Sequence, residues 1–340
     1  MIVSIRAAAA WLGPGRLVHD AQVVCEDGVV TYAGPATPVG AADEELDVDG
    51  FLMPAVADRH VHIELSDPVA VLRRGVTAVR DLAWPADPIF ELADASELPT
   101  FNGPLVRAAG PMLTGHGGYP TRAGWGPAGT GRELTGPEDA TATVAELATR
   151  GATAIKVSLN AEAGPTPTDG ELAAICDEAH RRELPVTAHA QGRGQVERAL
   201  GAGVDELAHA PWTERLPDAV VETAAARMRI VSTLHIHGPG SSLDVATDNL
   251  RRFRAAGGEV TYGTDLGNGG IPPGIDAREA ELLAGAGMTN EEVLGAMIRA
   301  PLDPDAPADL IALGADPMRD LAAFDDLILV VRAGRVVTTR

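Results

Sequence analysis

The chain has 340 residues, 45% of them hydrophobic and only 4% aromatic, with a formal net charge of −21; it is long enough for one large α/β domain plus a small second one, with a core mostly of Ala, Val, Leu and Ile. So acidic a chain excludes nucleic acid and anionic membrane surfaces as partners, because nothing in it neutralises phosphates. With no signal-peptide pattern, no run of 18 apolar residues, and two cysteines (Cys25 and Cys176) that form no metal or redox motif, a cytoplasmic protein is the default expectation.

Residues 1–49 alternate short apolar runs with turns, and Asp27-Gly28 between two strand-like runs predicts a hairpin. Residues 306–340 have the same character, so the two ends are expected to form one small β-sandwich-like domain around the long middle. Across 50–305, strand-like runs at 51–56, 75–82, 104–109, 153–159, 185–190, 206–210, 229–234 and 260–264 alternate with helical patterns. The helical patterns fall at 138–150, 168–182, 194–202, 218–226, 243–256 and 290–299, with Thr168 and Thr289 ahead of acidic residues as start signals. Eight strands with intervening helices predict an α/β fold of the parallel (β/α)8, TIM-like barrel type. The glycine- and proline-rich stretch 110–136 then becomes the loop after the third strand, on the face where such barrels keep their chemistry.

Lys156 is the only lysine; the other 26 of the 27 basic residues are arginines. Drift of an arginine-rich composition explains one survivor without any function. Yet Lys156 lies in Ile155-Lys156-Val157-Ser158-Leu159, which reads as a buried strand, where a lone ammonium is costly. Lysine can lose its proton and act as an amine nucleophile, which arginine does not do. Reaction with carbon dioxide would turn it into a carbamate, an anionic oxygen ligand able to bridge two metal ions. The histidines fall into place around it. His60 and His62 follow the first predicted strand, His189 ends the fifth, His209 the sixth, and Asp265 the eighth. Alternate residues of a strand share a face, so His60 and His62 can address one ion. Imidazoles, a carboxylate and a carbamate suit zinc or a similar divalent metal. A single His-x-His is weak evidence; six such groups at strand ends of one barrel are not.

These pieces resemble the amidohydrolase superfamily over nearly the whole chain, and within it the imidazolonepropionase-like and prolidase-like branch that includes Xaa-Pro dipeptidases. The motifs that carry the likeness are His60-Val61-His62, Gly151 to Lys156, Thr187-Ala188-His189, Asp205 to His209, Gly263-Thr264-Asp265 and Thr114-Gly115-His116-Gly117-Gly118. The resemblance implies two divalent metal ions, with His60, His62 and Asp265 on one, His189 and His209 on the other, and carboxylated Lys156 between. It makes His116 a polariser of the scissile carbonyl and Asp265 the proton shuttle, while a hydroxide bridging the metals attacks. Tyr119, Trp125 and Arg122 share the loop of His116 and are candidates to wall the pocket. His235 and His237 follow the seventh strand, with His235 the better candidate for substrate contact, and Arg193, just after the His189 strand, reads either as a solvated arginine or as a contact for a substrate carboxylate.

The expected reaction is hydrolysis of an amide C–N bond in a dipeptide, an N-acyl amino acid or a cyclic amide. A lactone or other ester is open to the same site, and a non-catalytic relative serving as a binding module is the reading of another class. No Gly-x-Ser-x-Gly elbow supports a serine hydrolase, and Gly267-Asn268-Gly269-Gly270 precedes prolines, not a helix, so it is no dinucleotide fingerprint. A small-molecule substrate is the expected partner, and a homo-oligomer is left open.

Overall fold

The computed structural model describes residues 1–37, 42–98 and 100–339. Strands from both ends form a single seven-stranded mixed sheet. Its order is Arg335–Thr339, Leu327–Arg332, Leu310–Leu313, Glu44–Pro54, Ile2–Trp11, Leu17–Glu26 and Val29–Pro35. The expected hairpin is there: Asp27 and Gly28 both take positive φ, 49° and 90°, which matches the right-handed twist of the strands they join. Glu44–Pro54 is the seam, parallel to Ile2–Trp11 on one side and antiparallel to Leu310–Leu313 on the other. Period-two alternation gives this sheet two buried faces. Ile5, Ala10, Leu52, Leu310 and Leu329 close a core of their own, while Trp11, Phe51, Met53, Ile311 and Val330 join the main core.

The middle of the chain is α/β with parallel strands. Three of them, Val56–Val61, Val76–Asp81 and Leu105–Ala108, pair in that order. Seven more form a second parallel sheet in the order Glu259–Thr261, Arg229–Val231, Glu206–Leu207, Val186–Gln191, Ile155–Asn160, Met112–Thr114 and Gly131–Glu133. Backbone hydrogen bonds also run between the two sheets. Thr153 N donates to Ala108 O at 2.9 Å, Arg59 N to Tyr262 O at 3.1 Å and Asp265 N to His60 O at 2.8 Å. Helices occupy the connections. Asp169–Arg181 and Asn290–Met297 open with full capping boxes, in which Thr168 and Thr289 exchange hydrogen bonds with Glu171 and Glu292.

The expected element bounds need correcting in three places. The first parallel strand is Val56–Val61, not 51–56, because residues 51–54 complete the terminal sheet; His60 therefore lies inside the strand. The stretch 110–136 carries two short strands, Met112–Thr114 and Gly131–Glu133, which pair with each other. Helices also form at Pro68–Arg73, Ala86–Ser96 and Ala277–Gly285. The first is held by Asp67 capping Val69 N and the last by Asp276 capping Arg278 N and Glu279 N, start signals hidden among neighbouring prolines and glycines. Among the described residues, no helix is long and apolar enough to cross a membrane.

Leu52 is fully buried in the seam strand, opposite Ala10 and Ala312. Small neighbours leave little to collapse into a hole there. Leu52→Ala is expected to lower stability by about 2–5 kcal/mol, read as a shift in the urea unfolding midpoint; a midpoint unchanged from wild type would mean that the seam contributes nothing to global stability.

Candidate metal centre

His60, in the strand Val56–Val61, and His62, just after it, are buried together with Asp265, which comes from the segment after Glu259–Thr261. Asp265 Oδ1 lies 3.2 Å from His60 Nε2 and 3.3 Å from His62 Nε2. The candidate ligand atoms of the three residues are all within 4.8 Å of one another. Each imidazole is oriented from behind. His60 Nδ1–H donates to Ala208 O at 2.8 Å and His62 Nδ1–H to Ala83 O at 3.2 Å, so both Nε2 atoms are turned toward Asp265 as acceptors. Backing of this kind fixes the tautomer a metal ligand needs.

A second pair sits beside it. His189 Nδ1 lies 2.9 Å from His209 Nε2, and the far nitrogen of His209, Nδ1, is 2.8 Å from Thr233 Oγ1. The His60 and His209 rings are 4.7 Å apart, which makes the two groups neighbours. Lys156 lies near enough for its charge to act on all four imidazoles. Its strand Ile155–Asn160 runs parallel to Val186–Gln191, with Ser158 level with His189 and Lys156 level with Thr187. Residues in register share a face, so Lys156 starts two residues below His189 and its stem spans the drop of about 7 Å. Lys156 is 0% exposed, and its Nζ has no hydrogen-bond partner among the described residues. Burial pushes its pKa down to about 7, against the pull of Asp265.

The centre is built to carry opposite charges under desolvation. Burial, then the Lys156 charge, holds His60 well below the ordinary histidine range, and burial lowers His189 to about 4. Burial also opposes ionisation of Asp265, but His60, His62 and His209 overcome it and hold that carboxylate well below its usual value. His62 goes the other way: burial opposes its charge, and the neighbouring Asp265 carboxylate prevails and raises it. One Asp265 oxygen, Oδ1, is buried without a hydrogen-bond donor. A bare amine, a bare carboxylate oxygen and inward-turned imidazole nitrogens in one buried space are the donor set that divalent cations take.

The backbone holds this arrangement with strain and with one buried acid. Asp265 and Thr233 take φ of 58° and 44°, in the left-handed region that side chains avoid. Asp58 ties the crossing: its carboxylate accepts from His60 N at 3.0 Å, Thr264 N at 3.1 Å and Thr264 Oγ1 at 2.5 Å.

Not every residue singled out in the sequence comes to the centre. The role expected of His116 places it over the site, but its side chain is 85% exposed and pairs with Glu133 at 2.6 Å. Arg193, one reading of which is a contact for a substrate carboxylate, is 94% exposed, with Glu214 3.9 Å away. His235 Nδ1–H donates to Asp276 at 2.6 Å, so its ring is held by a buried acid. Tyr119 does come in, stacked on His189 with ring centres 5.2 Å apart, and Trp125 lies 4.5 Å from His62. Trp212 went unmarked in the sequence reading, though it contacts the rings of His189, His209 and His237. Its signal was available: it stands three residues after His209 in a chain with four tryptophans.

Residues 51–337 match the model of the amidohydrolase family. The chain belongs to that family. It is accordingly a hydrolase, and its family acts on small molecules and generally uses divalent metals, for which the buried His60, His62 and Asp265 group is suited. An uncharacterized protein of Mycobacterium tuberculosis is 28% identical over 351 residues, 88% of each chain. Ochratoxinase of Aspergillus niger is 26% identical over 399 residues, 92% of this chain and 81% of its own. The crystal structure of that ochratoxinase superposes with a TM-score of 0.83 at 22% identity, covering 99% of this chain and 96% of the other. A Xaa-Pro dipeptidase with bound methionine in its active site superposes with a TM-score of 0.83 at 19% identity, covering 99% of each.

Asp58→Ala removes the acceptor of two backbone N–H groups and a hydroxyl at the crossing. Each orphaned buried donor costs about 1–3 kcal/mol. The variant is expected to unfold at lower urea and to bind cobalt more weakly, read from the visible absorption of the cobalt-loaded protein; wild-type cobalt affinity would mean that Asp58 does not position His60 or Asp265.

Proposed function

We propose that this chain is a binuclear metal-dependent amidohydrolase that cleaves an amide C–N bond in a dipeptide, an N-acyl amino acid or a cyclic amide. The observation that carries the reading is the buried, unpartnered amine of Lys156, whose charge acts on Asp265 and on all four of His60, His62, His189 and His209. His60, His62 and Asp265 would hold one ion and His189 with His209 the other. Lys156 would join them as a carbamate: its amine loses a proton, the nitrogen attacks carbon dioxide, and a C–N bond forms to give an anionic carboxylate. The donor set favours zinc. When bound, the two ions supply Lewis-acid activation of water and of the substrate carbonyl. The proposal includes closure of the two parallel sheets into a (β/α)8 barrel over 50–305, with 1–49 and 306–340 as a small β domain.

The residues have distinct work. Asp265, held ionised by its histidine neighbours, accepts the proton of the attacking water and delivers it to the leaving nitrogen. The strained backbone at Asp265 and the Asp58 tie keep that carboxylate aimed into the space between the imidazoles. The aromatic rings over His62 and His189 exclude bulk water, which strengthens every charge interaction beneath them. The carbonyl-polarising role that the family likeness assigns to His116 requires the side chain to leave Glu133.

Elemental analysis of protein purified with zinc and bicarbonate tests the reading, and close to two ions per chain is expected. A hydrolysis screen of dipeptides, N-acyl amino acids and lactones then separates amide from ester cleavage, and a metal-free, inactive protein would favour a binding module instead. Lys156→Arg is expected to lose metal and activity together, because a fixed guanidinium charge replaces the bridging anion. Lys156→Ala leaves a space that acetate or propionate can fill, so partial rescue by these acids is expected for Ala and not for Arg. An active, metal-replete Lys156→Arg enzyme would remove the bridge from the account.

Asp265→Asn keeps an oxygen for the ion and loses the base. It is expected to retain much of its zinc and to turn over about 10²–10⁴-fold more slowly. Turnover within a few-fold of wild type at full metal content would show that another group carries the proton.

A further inference from the structure

We propose that Tyr119, Trp125, Trp212 and His237 form the substrate-side wall of the centre and select an amide with a flat aromatic or large apolar group beside the scissile bond. His237 supplies the polar contact to a neighbouring carbonyl or carboxylate oxygen. The inference rests on the amide-hydrolase reading above and names the substrate class for it.

Aromatic residues are scarce in this chain, and their placement is uneven. Of the four tryptophans, Trp11 and Trp84 are buried in the main core, where packing accounts for them. Trp125 and Trp212 are half-buried and lie against imidazoles of the centre instead. Trp125 stands 4.5 Å from His62, and its Nε1–H donates to Tyr119 Oη at 3.0 Å. Tyr119 lies nearly flat on His189, at 25° and 5.2 Å. Trp212 meets His189 and His209 edge-on at 5.7 and 5.3 Å, from another loop. His189 is thus gripped by a flat ring from one loop and an edge from another. The two loops present rigid apolar surface that loses little side-chain entropy on binding.

His237 adds the polar element. Its ring is 4.9 Å from Trp212, and its Nε2 is buried without a hydrogen-bond partner among the described residues. A buried ring nitrogen needs a partner, and here it stands beside the aromatic rings. With Arg193 turned to solvent, this wall offers one polar contact among three aromatic faces, so the chemistry it recognises is mainly apolar.

The loop of Tyr119 and Trp125 is also built to reach this place. Gly118 passes so close to Pro165 O and Thr114 Oγ1 that a Cβ could not fit. Glu133 accepts from Gly117 N at 3.0 Å and pairs with His116 at 2.6 Å, which fastens the loop one and two residues on from its start at Gly115 and leaves Tyr119 facing inward. Residues on loops beyond strand ends are where specificity is carried.

The test uses the zinc-loaded protein and its Trp125→Ala, Trp125→Phe, Trp212→Ala and His237→Ala variants, with zinc measured in each. Substrates are N-acetylglycine, N-acetylphenylalanine and N-benzoylglycine. At least one aromatic substrate is expected to exceed N-acetylglycine about tenfold in kcat/KM. Each Trp→Ala variant should lose most of that preference, chiefly through KM, and Trp125→Phe should recover it. His237→Ala should raise KM for all three. Quenching of tryptophan fluorescence by 3-phenylpropionate against propionate reads the same selectivity without turnover, and tighter binding of the aromatic acid is expected. Hydrolysis of all three substrates at similar efficiency, or loss of zinc in the Trp→Ala variants, would overturn the wall as a specificity element while leaving the hydrolase reading intact. Selective binding of 3-phenylpropionate with no amide cleaved would sink the amide reading and leave the wall.

Discussion

The candidate centre depends on one buried tie, the Asp58 carboxylate holding Thr264 and the amide of His60. Two segments more than two hundred residues apart in sequence meet there, and the side chains that face each other across the join are His60 and Asp265. A carboxylate in this position is not cheap. Burial raises it to about 7, and the donors it accepts from offset only part of that cost. The arrangement persists because its oxygens satisfy backbone groups that have no other acceptor, so removing the acid would expose a larger penalty than keeping it. The crossing sets His60 beside Asp265, and the carbonyls of Ala208 and Ala83 then turn Nε2 of His60 and His62 inward.

Burying so many ionisable groups together makes sense only as a balance among them. Lys156 disfavours protonation of His60, His189 and His209, while His60, His62 and His209 sustain the charge of Asp265. A neutral imidazole and an ionised carboxylate are the states that coordinate a cation. Mutual fields thus favour neutral His60, His189 and His209 beside an ionised Asp265 and draw His62 toward protonation, with an amine and a carboxylate oxygen left unmatched.

The parallel strands and the grouping of Lys156 with four histidines and an aspartate were legible in the sequence for a physical reason. Each of these polar residues interrupts or ends a β-branched or alanine-rich run, and a polar group in such a run is conspicuous. Element bounds were less legible where one chain segment serves two sheets: residues 51–56 read as one strand and are divided only by which partner strand lies alongside. Loop residues were the least legible. Nothing in Gly115-His116-Gly117-Gly118-Tyr119 distinguishes the ring that turns to solvent from the one that turns inward; Glu133, fourteen residues beyond Tyr119, decides it. Trp212, Thr233 and Asp58 were missed likewise, since their importance lies in what they touch and not in any spacing.

The seam strand has a consequence for the order of assembly. Glu44–Pro54 leads directly into the strand of His60, and one of its edges is filled by Leu310–Leu313. As the chain leaves the ribosome, that edge stays open until some 250 further residues have been made. Asp265, too, reaches His60 only after some two hundred residues have been added. The candidate centre is therefore completed late, and the histidine-bearing first strand waits some two hundred residues with a bare edge. A nascent chain stalled before the last strands would carry His60 and His62 without the frame that orients them.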